Sequence, residues 1–182
     1  MPDTLFNATQ SVRFDLAHGA VRSGASDDRL LLVPLAALVE LANAAPPAAA
    51  AALGRALGAA IGSRAAARIG DPTGTSLEGF VTQLAGEAAL AGAGVLSVER
   101  WGRALVVVLE DSPLPAPLVA ALVGAALDAA SGRKVATTVL SNDAHGVRVL
   151  VASDAAVHRV RDWMASGVPW GDAIAKLHGG GS

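Results

Sequence analysis

The 182-residue chain contains no cysteine, which excludes disulfides, thiolate catalysis, iron–sulfur clusters and cysteine-ligated zinc together. Aromatic side chains make up 3% of it and charged ones 16%, against 52% hydrophobic, so alanine, valine and leucine supply most of the apolar content. That length and composition suit one domain able to bury a core without covalent staples, and they argue against disorder. An excess of either charge is missing too, since 14 Lys and Arg stand against 16 Asp and Glu, for a net charge of -2. This balance excludes general phosphate-driven nucleic-acid binding and adhesion to an anionic membrane. Long apolar runs are also lacking. Residues 112–127 are charge-free but hold Pro113, Pro115 and Pro117, and the alanine-rich stretch after Pro47 is interrupted by Arg55 and Arg64. Neither gives the roughly 20 uninterrupted apolar residues of a membrane span. Met1 to Gln10 carries Asp3 and no basic region ahead of an apolar stretch, unlike a secretory signal, so a cytoplasmic location is expected. No period of about 20–50 residues recurs, which excludes solenoids and propellers.

What is present reads as alternating strands and helices. Val12 to Leu16 and Ala20 to Arg22 form a short hairpin broken at His18-Gly19, where glycine supplies a positive φ. The run Leu30-Leu31-Leu32-Val33 is expected to be a buried strand, and Pro34 opens a helix to Asn43. Pro46-Pro47 then precedes a long helix from Ala48 to about Ile69. Gly54, Gly58 and Gly62 recur on it every fourth residue. Glycine inside a helix costs roughly 0.5–1 kcal/mol relative to alanine, so a stripe of three points to close approach by another backbone or a ligand. Drift in an alanine- and glycine-rich composition is the alternative. Asp71 to Gly74 makes a turn, and Thr75 with Glu78 fits a capping box. The helix that follows places Leu77, Phe80, Val81, Leu84 and Ala88 on one face and ends at Gly92-Ala93-Gly94.

Val95 to Trp101 and Ala104 to Glu110 flank Gly102-Arg103 as a hairpin, with Leu105 to Leu109 apolar enough to lie in mid-sheet. Pro117 opens a helix through Ala130, closed by Ser131-Gly132, and a second hairpin joins Lys134–Leu140 to Val147–Ala152 around residues 142–146. Ser153 is placed to cap a further helix bearing His158, Arg161 and Trp163, and a short segment from Pro169 to His178 follows. One domain over residues 1–178 is expected, with Gly179-Gly180-Gly181-Ser182 as a flexible tail.

Reactive constellations are scarce. His18, His145, His158 and His178 fall in separate segments, none paired at helical ligand spacing. No serine sits in a G-x-S-x-G elbow, and Gly70 to Thr75 lacks the lysine of a phosphate loop. Gly92-Ala93-Gly94 precedes a strand instead of following one, which does not suit a dinucleotide loop. Asp27-Asp28, Glu110-Asp111 and Asp143 with His145 are the acid–base candidates, all in turns where acidic residues usually punctuate. Trp101, Trp163 and Trp170 can line a pocket, fasten an interface or pack at a core edge.

At residues 12–19, at Arg29-Leu30-Leu31-Leu32-Val33-Pro34 and at the glycine-striped helix 53–58, the chain resembles the 4-vinyl-reductase-type domain family. The later order of helix, hairpin, helix and hairpin matches as well, with Gly124 in the helix before the final strands and residues 139–149 similar to the closing hairpin. That family includes the effector-sensing domains of aromatic-responsive bacterial regulators and is similar in fold to Golgi transport particle subunits. The resemblance implies an α+β fold of the nitric-oxide-signalling and Golgi-transport ligand-binding type, with helices packed on one side of a twisted antiparallel sheet. It also implies a homodimer and an apolar cavity between helices and sheet. Many members carry zinc-binding cysteines around the closing hairpin, and the matching stretch here has none. Metal and cofactors are therefore not expected.

Phe80, Leu84, Trp101, Val107, Leu122 and Val139 are the candidate lining of cavity or core, and Gly54, Gly58 and Gly62 the candidate helix-packing interface. The expected function is non-enzymatic: a homodimeric module that binds a small hydrophobic ligand and signals or assembles through partner proteins. A scaffold or adaptor subunit with no small-molecule ligand is the alternative, and an enzyme built on Asp143 and His145 or on another of the turn clusters is the third possibility.

Overall fold

The computed structural model describes residues 5–70, 74–102 and 104–179. The chain opens with a three-stranded antiparallel sheet of β1 (Val12–Asp15), β2 (Ala20–Ser23) and β3 (Arg29–Leu30), in that order. Three helices follow: α1 (Leu35–Ala44), α2 (Pro47–Ile69) and α3 (Leu77–Leu90). Then come β4 (Val95–Trp101), β5 (Ala104–Glu110), α4 (Ala116–Ser131), β6 (Ala136–Asp143) and β7 (Gly146–Ala152). Helices α5 (Asp154–Ala165) and α6 (Trp170–Gly179) close the described chain. The fold is α+β. Its main sheet is antiparallel in the order β4-β5-β7-β6, with β5 and β7 inside.

The central strands explain the layering. On β5, Val107 and Leu109 join a core shared with Leu84, Leu118 and Leu122, while Val106 and Val108 join a second core with Val157, Val160, Ala173 and Ile174. Neighbouring residues of a strand point to opposite faces, so an uninterrupted apolar run requires cover on both. Helix α4, backed by α2, covers one face, and α5 with α6 covers the other. Helices therefore flank the sheet on two sides, where the resemblance had implied one.

Helix α2 lies against α4 with almost no side chain between them. A Cβ added at Gly54, Gly58 or Gly62 would run into the carbonyl oxygen of Leu118, Leu122 or Ala126 respectively. Both stripes step by four residues, so each glycine meets its own turn of α4. What approaches the glycine stripe is a helix backbone. The link from α4 to β6 is fixed by Asp128, which accepts hydrogen bonds from Val135 N at 2.8 Å and Lys134 Nζ at 2.9 Å.

Several expectations need correction. The buried strand expected over Leu30–Val33 ends at Leu30, after pairing Val21 with Leu30 and Arg22 with Arg29. Leu31, Leu32 and Val33 then leave the sheet 84%, 67% and 51% exposed, because no described residue packs over them closely enough to bury them. Ser76, rather than Thr75, caps α3 by accepting a hydrogen bond from Gly79 N at 3.0 Å, which starts the helix one residue later than a Thr75 cap would. Leu77, expected on the buried face, is exposed. The second hairpin is tighter than expected, pairing Asp143 with Gly146. Ser153 occupies the cap position of α5 without a side-chain hydrogen bond. Residues 71–73, Arg103 and 180–182 lie outside the described residues, and Gly179, expected in the tail, ends α6.

Candidate ligand cleft

A cleft of about 430 Å3 opens between the small sheet and the helices. Val12 of β1, Leu30 of β3 and Leu31 to Val33 after it, and Leu35 and Leu38 of α1 form one wall. Leu57 and Arg64 of α2 and Leu90, Ala91 and Gly92 at the end of α3 form the other. Leu57 and Arg64 are seven residues apart and so share one face of α2. Among the described residues that line the cleft, Arg64 is the one charged side chain.

Behind Arg64 lies a buried charge cluster. The Glu87 carboxylate is 0% exposed, and its two oxygens each accept a hydrogen bond at 2.7 Å, one from Arg64 Nε and one from Arg68 Nε. Arg68 also donates to the buried Ser11 hydroxyl at 2.8 Å, and Ser11 Oγ donates to the Asn7 carbonyl at 2.7 Å. The Phe6 ring lies 5.0 Å below the Arg68 guanidinium and sits over Gly86, where any Cβ would collide with it. The segment before β1 is thereby strapped across the seam of α2 and α3. An isolated buried carboxylate would be very unfavourable, and pairing with two forked cations makes this one tolerable.

The expected lining residues are elsewhere. Leu84, Val107 and Leu122 are buried in the core on the α4 side of the main sheet, with Phe80 and Val139 packed against it, and none of them lines this cleft. Trp101 is not with them. It stands 40% exposed at the end of β4, its ring meeting Trp170 edge-on at 4.9 Å and its Nε1–H donating to Glu99 Oε2 at 2.8 Å. The His178 ring Nε2 lies 2.8 Å from the Trp101 carbonyl oxygen and 3.2 Å from Ala104 N, so α6 is tied at both ends to the β4–β5 hairpin. Trp163 packs into the second core. The remaining histidines do not converge: His18 pairs with Asp15 at 3.0 Å, His145 sits in the β6–β7 turn, and His158 is exposed on α5. Among the described residues no three His, Asp or Glu side chains gather to hold a metal ion, and no helix is long and apolar enough to cross a membrane. The His145 backbone N–H, 2.8 Å from Asp143 Oδ1, holds the Asp143 carboxyl below its ordinary value, with Arg148 acting in the same direction.

Sequence reasoning missed Arg64, Arg68 and Glu87 as a unit. A signal was present, because Arg64 and Arg68 lie one turn apart in a helix with only Arg55 as its other charge and no acid of its own.

The overall arrangement has a counterpart among solved structures. The fold is similar to that of a phenol-responsive sensory domain. That domain belongs to the transcription activator PoxR and was crystallised with phenol; the likeness has a TM-score of 0.62 at 18% identity and covers 94% of this chain and 93% of that one. At such identity the likeness shows the fold. The chain matches no protein-family model and no curated protein.

Proposed function

We propose that the chain is a cytoplasmic, non-enzymatic binding domain of the 4-vinyl-reductase type, which works as a homodimer, takes a small hydrophobic ligand and signals or assembles through partner proteins. The observation that carries this reading is the cleft between the small sheet and α1, α2 and α3, whose described lining is aliphatic except for Arg64. Its volume falls within the range of about 300–1,000 Å3 usual for small-molecule sites, and burying a ligand's apolar surface there supplies the affinity. The similar fold of a sensory domain crystallised with phenol supports the same reading. The proposed site is this cleft and not the volume around Phe80, Leu84, Val107, Leu122 and Val139, which those side chains fill themselves.

Native mass spectrometry of freshly purified protein, followed by thermal melts against phenol, other aromatics and lipids, tests the proposal. A retained small molecule or a raised Tm that disappears in Leu38→Trp, where the indole fills the cleft, is the expected result. No retained molecule and an unchanged Tm across the whole panel would overturn it.

One observation favours a second reading, a scaffold or adaptor without a ligand. Leu31, Leu32, Val33, Leu35 and Leu41 present a run of exposed apolar side chains suited to a protein partner. Light scattering over a range of concentrations tests the self-association common to both readings, and a strictly monomeric species would count against both.

A further inference from the structure

Arg64 is 12% exposed, lines the cleft and engages Glu87 through Nε alone; its two terminal nitrogens have no hydrogen-bond partner among the described residues. Glu87, meanwhile, serves two guanidiniums with one carboxylate, so the cluster carries one positive charge that no described ion pair balances. A guanidinium held in an aliphatic cleft with unused N–H donors is costly, and the group that best relieves it is a planar anion able to accept two parallel hydrogen bonds. Inorganic phosphate fits poorly, because walls of Leu30, Leu38 and Leu57 offer it nothing in return for its hydration. Both demands are met by one molecule with an anionic head and an apolar body.

Resting on the reading of the cleft as a ligand site, we propose that its ligand is an amphipathic carboxylic acid, the carboxylate on the Arg64 terminal nitrogens and the tail against the leucines of α1 and α2. A neutral hydroxyl can accept from Arg64 but leaves the charge uncompensated, so the site discriminates by charge as well as by apolarity. Alkyl and aryl acids share this chemistry.

The test is calorimetric titration at pH 7 with octanoate, with 1-octanol as its neutral counterpart and 3-phenylpropanoate as the aryl acid. Octanoate is expected to bind at least about tenfold more tightly than 1-octanol. Arg64→Met should erase that preference while sparing the alcohol; it retains an apolar stem and leaves Glu87 paired one-to-one with Arg68, so the variant is electrically balanced. Leu38→Trp, which leaves the charge cluster intact, should abolish binding of all three probes. Tighter binding of 3-phenylpropanoate than of octanoate would support the acid and assign it to the aryl class. Equal or tighter binding of 1-octanol, or an acid preference that survives in Arg64→Met, would overturn this inference and leave the broader proposal of a hydrophobic ligand standing. Failure of every probe overturns the inference, and if phenol and the neutral panel fail as well, the proposed function falls with it.

Discussion

The segment from β1 through α1 and the layers around the main sheet are built from the same side chains and treat them in opposite ways. In the main-sheet layers Leu109, Leu118, Leu122, Val149 and Leu150 are each at most 1% exposed. In the first segment Phe14 is 61% exposed, Leu16 86%, Leu32 67% and Leu41 63%. The difference lies in cover, since the main sheet is sandwiched by helices on both faces, whereas β3 carries only two residues and leads straight into an unpaired apolar run. One region spends its apolar surface on its own stability. The other leaves it exposed, where the proposed function places a ligand or a second chain.

The largest effect is expected at the seam between the two regions. Glu87→Ala leaves two guanidiniums facing each other in a buried site and should cost about 3–5 kcal/mol in urea unfolding. Next comes a matched pair of truncations. Leu122→Ala should cost about 2–5 kcal/mol, as a cavity in a packed core does, whereas Leu32→Ala should stay within about 0.5 kcal/mol in the monomer. Leu32→Ala should instead weaken concentration-dependent association in sedimentation, and an equal stability loss at both positions would break the comparison. Gly58→Ala comes third. The added methyl runs into the Leu122 backbone, which cannot yield as a side chain can, so overpacking of about 2–3 kcal/mol outweighs the roughly 1 kcal/mol of helix propensity gained, for a net loss of about 1–2 kcal/mol by chemical denaturation.

The smallest expected effect is at Asp143. Its folded-state value is depressed, so it adds stability above the ordinary carboxylate range that fades as pH falls through the depressed value. Asp143→Asn should therefore flatten the acid limb slightly in a pH series of melts and leave neutral stability nearly unchanged, because the carboxyl is exposed to solvent.

Much of the fold was legible because its signals are local. Gly102 and Gly146 mark the two hairpins of the main sheet, Pro117 and Gly132 bracket α4, and Leu105 to Leu109 read as an inner strand from its unbroken apolar run. The candidate site was much less legible. Leu30 to Val33 look like a buried strand by composition, and only the short pairing with β2 shows that they are not. For Trp101 the sequence left a pocket, an interface and a core edge open, and only the packing against Trp170 shows where it sits. The Arg64–Glu87–Arg68 cluster joins residues 19 and 23 positions apart on two helices, which no local pattern encodes.

Residue order alone determined roughly where most strands and helices lie, the end of β3 and the cap of α3 excepted, since periodicity, caps and turn residues act over a few positions and need no distant partner. It also determined that α2 presents a smooth stripe, because three glycines four apart cannot do otherwise. Tertiary structure decided what that stripe meets, which leucines are covered, and that a lone carboxylate shares two arginines beside an aliphatic cleft. Burial and charge balance depend on what packs opposite, and that is settled only when remote segments are brought together.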